Sequence, residues 1–169
     1  LLNGNSREIE AALQEHRIDL GLVEGICRLP NLRYTTFLQD ELVAVVHTGS
    51  KLSLPDEITP EDLSRIPLVL RERGSGTLDV FERALSEHNM KLSSLNVLLY
   101  LGSTESIKLF LEHTDCIGIV SIRSISRELL SGTFRVIEIK GMPMLREFCF
   151  AQPQGQESGL SQVLMQFAM

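Results

Sequence analysis

The chain has 169 residues, 43% of them hydrophobic and 22% charged, which is enough for one ordinary domain or two small lobes. Its formal net charge of -6 argues against gripping nucleic acid or an anionic membrane surface unaided. No apolar run approaches the roughly 20 residues that a membrane helix needs.

Taken in chain order, Leu1-Leu2 reads as the tail of a strand. Asn5 is a good N-cap, with Glu8 three residues on as in a capping box, and a helix runs to about His16 with Ile9, Ala12 and Leu13 on one face. Residues 19–23 form a short buried strand. Residues 33–37 alternate weakly, and 41–48 form a central strand by their valines. Thr59-Pro60-Glu61-Asp62 places a cap, a proline and first-turn acids on a short helix. Residues 67–70 are strand, and the turn 74–77 leads into a helix over 77–88 with Val80, Phe81, Ala84 and Leu85 inward. Residues 96–101 are strand. Ser103 or Thr104 caps a helix over 104–113 that buries Ile107, Phe110 and Leu111. Residues 116–122 are a buried strand, Ser124 opens a helix over 124–131, and Gly132 ends it. Residues 134–139 and 147–151 are strands. A last helix, 158–168, carries Leu160, Val163, Leu164 and Phe167, and the chain stops inside that pattern at Met169. Both ends read as cut from a longer protein. Strands and helices alternate, so the class is α/β with a mostly parallel sheet. Composition breaks at 49–56 and 141–146 bracket a block large enough to be its own lobe.

Three of these strand–turn–helix junctions carry small polar residues: Gly4-Asn5-Ser6, Gly74-Ser75-Gly76-Thr77 and Gly102-Ser103-Thr104. Orphan N–H donors and the positive dipole end gather at such helix starts. The pattern suits a pocket for a small polar ligand. Little that does chemistry accompanies it. His16, His47, His88 and His113 have no i,i+4 partner and form no Cys/His cluster, so neither a metal nor any other cofactor is expected. No G-x-S-x-G occurs, and no cysteine has an evident base, so no catalytic residue is expected. The 71–77 run lacks the G-x-x-x-x-G-K-[ST] pattern of a nucleotide P-loop. Cys116 and Cys149 lie in apolar runs and Cys27 has no C-x-x-C partner; reduced thiols and a cytoplasmic location are the expectation.

Five ordered pieces carry a family resemblance: Gly4-Asn5-Ser6-Arg7-Glu8-Ile9 with Ile18-Asp19-Leu20-Gly21-Leu22-Val23-Glu24; Leu38-Gln39-Asp40-Glu41-Leu42-Val43-Ala44-Val45-Val46; Ile58-Thr59-Pro60-Glu61-Asp62-Leu63; Leu70-Arg71-Glu72-Arg73-Gly74-Ser75-Gly76-Thr77; and Gly102-Ser103-Thr104-Glu105-Ser106-Ile107-Lys108. Together the chain resembles the effector-binding domain of LysR-type transcriptional regulators. The resemblance implies two Rossmann-like lobes of the type II periplasmic-binding-protein kind, lobe I being 1–48 with 146–169 and lobe II roughly 52–142. It implies that the winged helix-turn-helix, the linker helix and the first strand and helix of lobe I lie outside this sequence. A small-molecule effector would enter between the lobes and bias their arrangement. Association with itself, as a homodimer or tetramer, would use the helix over 6–16 and the one near 104–113. DNA would be contacted only through the absent domain.

The expected effector residues are Asn5, Ser6, Glu24, Ser103, Thr104 and Ser121, with Arg71, Ser75 and Thr77 as possible anion contacts. For Asn5, Ser6, Ser103 and Thr104, capping alone is the competing explanation, since it uses the same geometry. Ser103 and Thr104 sit where open α/β sheets bind ligands, at the carboxyl end of a strand. Ser121 can equally be a turn hydroxyl, and Arg71 or Arg73 a solvated cation. Glu24 disfavours a purely anionic ligand unless it is paired or turned away. The alternative function is a solute-binding protein of an uptake system, which shares the fold; an enzyme is the least supported class.

Overall fold

In a computed structural model, which describes residues 1–24, 29–155 and 159–168, the chain divides into two units. The elements are α1 (Ser6–Gln14), β1 (Gly21–Glu24), β2 (Leu32–His47), β3 (Glu57–Ile58), β4 (Leu68–Arg71), α2 (Gly76–Glu87), β5 (Val97–Leu101), α3 (Thr104–His113), β6 (Ile117–Ser121), α4 (Ser126–Leu130), β7 (Phe134–Ile139), β8 (Met144–Pro153) and α5 (Gly159–Ala168). Short 3-10 turns occupy 60–64, 92–94 and 122–125. One unit comprises 1–39, 74–76 and 146–169; the other comprises 40–73 and 77–145.

The second unit is organised by the pleat of β2. Leu42, Ala44 and Val46 belong to one buried cluster, Val43 and Val45 to another, because successive side chains leave a strand on opposite faces. Strand β4 divides likewise, with Leu68 and Leu70 on the first face and Val69 on the second. A run such as Val43-Ala44-Val45-Val46 is apolar throughout because both faces are covered. Helix α2 covers the first face with Leu78, Phe81 and Leu85. Helix α3 covers the second with Ile107 and Leu111. Each such fully buried side chain contributes about 1.5–3 kcal/mol. In this unit β4 runs parallel to β5 and to β6, and β3 parallel to β7, whereas β2 is antiparallel to both β6 and β7. In the first unit β1 is antiparallel to β8, and α1 lies on β1 through Ile9, Leu13 and Val23. The sheet is therefore mixed. The expectation of a mostly parallel sheet fails because the long strand β2 and strand β8 both enter antiparallel ladders.

Three further differences from the sequence reading have physical causes. The strands expected at 33–37 and 41–48 are one strand of 16 residues; nothing between them breaks extended backbone, and the polar Asp40 inside it is buried with a partner (below). The strand expected at 147–151 is also longer and begins directly after Pro143. The helix expected from Ser124 starts instead as a 3-10 turn capped by Ser121, whose hydroxyl accepts the Arg123 N–H at 3.2 Å, and Ser124 donates back to the Ser121 carbonyl at 2.7 Å. Helix α5 forms as expected and turns its apolar stripe outward: Leu160, Val163, Leu164 and Phe167 are 75%, 63%, 53% and 91% exposed, and Ser161 is buried. Periodicity identifies an apolar face but not whether anything covers it. Phe110 is only half-buried on α3. Cys116 and Cys149 are buried free thiols; Cys27 and the expected helix start at Ser158 lie outside the described residues. No described helix is long and apolar enough to cross a membrane.

Candidate functional site

In the first unit the candidate residues converge on the end of β1. Asn5 caps α1: its side-chain oxygen accepts the Glu8 N–H at 3.1 Å, and Glu8 Oε2 accepts the Asn5 N–H at 2.9 Å. Ser6 Oγ donates to the Glu24 carbonyl at 2.7 Å and accepts the Glu24 N–H at 3.1 Å. The Ser6 hydroxyl thus bolts the start of α1 to the end of β1, and its one proton is committed to Glu24. The segment 74–76 belongs to the same unit. Gly74 turns with φ +95°, and its carbonyl accepts the Arg7 N–H at 3.4 Å. At Gly76 a Cβ would collide with the Glu24 carbonyl, so only glycine allows this approach. Ser75 is fully buried between them in sequence.

Glu24 is also paired. Its Oε2 lies 2.5 Å from Nη1 of Arg146, whose side chain is 3% exposed against 19% for Glu24. The guanidinium sits over the Phe148 ring, 4.9 Å from its centroid. Arg146 was not among the residues expected from sequence. The signal for it was slight: one cation in the apolar strand around Cys149, where burial demands a counter-charge. The strand expected at 147–151 begins one residue beyond it.

In the second unit, parallel β5, β4 and β6 end side by side. Arg71, Ser103-Thr104 and Ser121 therefore follow one sheet edge, the carboxyl edge. Arg71 is engaged twice with Glu72, Nε to Oε2 at 2.9 Å and Nη2 to Oε1 at 3.2 Å, and it donates to the Gly102 carbonyl at 3.4 Å. Ser103 caps α3 by accepting the Ser106 N–H at 3.1 Å. The hydroxyl of Thr104, half-buried beside it, makes no hydrogen bond to a described residue, and exposed Arg73 makes no ion pair among the described residues. Ser121 Oγ donates to Asp40 Oδ1 at 2.9 Å. Asp40 is buried, and Nε of Arg123 stands 3.8 Å from the same oxygen. Thr77 is buried at the first turn of α2. The start of α3 is tied down by Lys108, whose Nζ meets Glu128 at 2.6 Å, Glu105 at 3.0 Å and the Ser124 carbonyl at 3.2 Å. Burial pulls the Lys108 pKa down, but the two carboxylates outweigh it and raise it. The Lys108 bond lowers that of Glu128 against the opposing effect of burial.

A cavity of about 300 Å³ opens in the second unit where β2 and β7 part, lined by Glu41, Leu42, Glu138, Met142 and Met144 among others; none of the candidate residues lines it. Among the described residues no group of three or more His, Cys, Asp or Glu could hold a metal ion. His47 packs edge-on against Phe134 at 6.0 Å, as a packing residue would.

The HTH-type transcriptional regulator YeiE of Escherichia coli strain K12 is 33% identical over 136 residues, 80% of this chain and 45% of that protein. The HTH-type transcriptional activator CmpR of Synechocystis sp. is 30% identical over 165 residues, 97% of this chain and 53% of that protein. The chain spans about half the length of these curated relatives. Among solved structures, the regulatory domain of Synechocystis PCC6803 CcmR in complex with 2-PG superposes with a TM-score of 0.83 at 25% identity, covering 98% of this chain and 78% of that one. The fold is thus a two-lobe α/β domain with an open mixed sheet. The family model described as the LysR substrate binding domain matches residues 1–169, and the chain belongs to that family.

Proposed function

We propose that this chain is the effector-sensing part of a longer LysR-type, DNA-binding transcription regulator of the cytoplasm. It binds a small polar metabolite, and each unit offers its own candidate contacts: Asn5, Ser6 and Glu24 in the first, and Ser103, Thr104 and Ser121 in the second. The observation that carries the reading is the carboxyl edge of β5, β4 and β6, where Arg71, Thr104 and Ser121 line up as in ligand-binding open sheets. The structural neighbour solved with 2-PG supports a small anion-bearing metabolite as the kind of effector. Regulation requires the effector to bind one arrangement of the domain better than another, since equal affinity shifts no population.

Thermal unfolding with a panel of hydroxy acids, phosphorylated acids, sulfate, amino acids and aromatic acids tests this. A true effector at about 100 times its Kd adds about 2.7 kcal/mol of stability. No stabilisation by any member of the panel counts against the reading.

The same reading includes self-association. Strand β5 pairs with β4 alone among the described strands, and Leu98, Leu99 and Tyr100 on it and Leu109 on α3 are exposed. These apolar side chains suit a homodimer face that includes α3, with α1 of the second copy as the expected partner. Sedimentation of a monomer at tens of micromolar, or a dimer indifferent to Leu109→Glu, argues against it.

A further inference from the structure

We propose that Arg146 is a specificity-determining residue: by cancelling the charge of Glu24 it lets the first unit's candidate site accept an anionic small molecule, carboxylated or phosphorylated, in preference to an amine. This inference rests on the ligand-binding reading above and names the ligand class for it.

The argument begins with charge. Of the first unit's candidate residues, Asn5, Ser6, Ser75 and Glu24, only Glu24 has an acidic side chain. Alone, its carboxylate would attract ammonium groups and repel anions. It is not alone: Arg146 Nη1 lies 2.5 Å from Oε2, and the pair carries no net charge. The order of burial matters too. Arg146 is the more deeply placed partner at 3% exposure, with Glu24 at 19%. A ligand therefore meets a carboxylate already neutralised from behind. The start of α1 adjoins the pair, since its first residue Ser6 holds the Glu24 backbone on both its N–H and its carbonyl. The pair cannot easily swing apart, because Ser6 fixes the backbone of Glu24, and the Phe148 face lies beneath the Arg146 guanidinium at 4.9 Å.

The test compares the wild-type chain with Arg146→Met, Arg146→Lys, Glu24→Gln and the double variant Arg146→Met/Glu24→Gln. Probes are inorganic phosphate, 2-phosphoglycolate and glycolate as anions, ethanolamine and putrescine as amines. Affinities come from calorimetry and folding from circular dichroism. The wild type is expected to bind an anionic probe more tightly than either amine. Arg146→Met weakens that anion at least tenfold and raises the relative affinity for amines. Arg146→Lys stays within a few-fold of wild type, which a lost-fold explanation would not give. The double variant regains most of the anion affinity, because the uncompensated acid is gone. Wild-type preference for an amine overturns the inference and leaves the functional reading standing. So does a double variant as weak as Arg146→Met, or an Arg146→Met protein with unchanged charge preference. If Arg146→Met does not fold, Arg146→Lys and the double variant decide alone. Binding of no probe by the wild type overturns the inference, and the functional reading falls with it when the wider thermal-unfolding panel also gives no stabilisation.

Discussion

The Ser121 hydroxyl donates to the buried carboxylate of Asp40 at 2.9 Å, joining the end of β6 to the point where β2 enters the second unit. The same oxygen accepts the Arg123 N–H. Removing it leaves a buried carboxylate short of a donor and a helical turn short of its cap. Ser121→Ala is therefore expected to lose about 1–3 kcal/mol of stability. Ser121→Thr keeps the hydroxyl and loses less. Urea midpoints at constant m-value measure both.

Gly76 makes the second prediction. Its missing Cβ is what lets the 74–76 segment lie against the Glu24 carbonyl. Gly76→Ala forces backbone apart where neither side is a flexible side chain. A loss of about 1–3 kcal/mol is expected, despite alanine being the better helix former. A variant as stable as wild type would contradict the close approach.

Lys108 and Glu128 predict a pH dependence. The folded pKa of Glu128 lies below its ordinary 4.5, chiefly because Lys108 bonds to the carboxylate. A lowered pKa means stability that is present above pH 4.5 and lost as pH falls through the folded value. Lys108 is raised above 10.5, so its share is present below that pH and fades as pH rises beyond it. Glu128→Gln should therefore be less stable than wild type at pH 6–9, and the gap should close on acidification. Urea titrations from pH 3 to 7 read the closure; a gap independent of pH would refute the pairing.

Cys116 gives a chemical test. Burial, then the neighbouring Asp115 charge, push its thiol up to about 11. At pH 8 roughly one such thiol in a thousand is ionised, and the thiolate is the reactive form. Iodoacetamide should spare Cys116 in the native protein and modify it in denaturant. Peptide mapping after a short pulse at pH 8 distinguishes the two.

Local features were legible in the sequence and non-local ones were not. The Asn5–Glu8 capping box and the Ser103 cap involve residues three apart, so spacing alone reveals them. The two-faced cluster around 42–46 follows from an unbroken apolar run. The single length of β2 did not follow, because nothing local shows that the charged Asp40 can be buried; its donor, Ser121, lies 81 positions later. Arg146 and Glu24 are still farther apart, and neither announces the other. Helix α5 shows the converse: its stripe is plain in the sequence, yet its exposure depends on what lies against it. Of the candidate hydroxyls, Ser6 and Ser121 were legible as polar groups at element ends, but not the fact that both spend their proton on the protein itself.

The alternation along β2 bears on how this chain can vary in length. Leu42, Ala44 and Val46 serve one cluster while Val43 and Val45 serve the other. Deleting a single residue inside 42–46 would exchange the two sets, sending leucine-sized groups where valines fit and breaking pairing with both β6 and β7 at once. Insertions and deletions accumulated by descent must therefore gather in connectors such as 49–56, while the valine-rich stretch keeps its count.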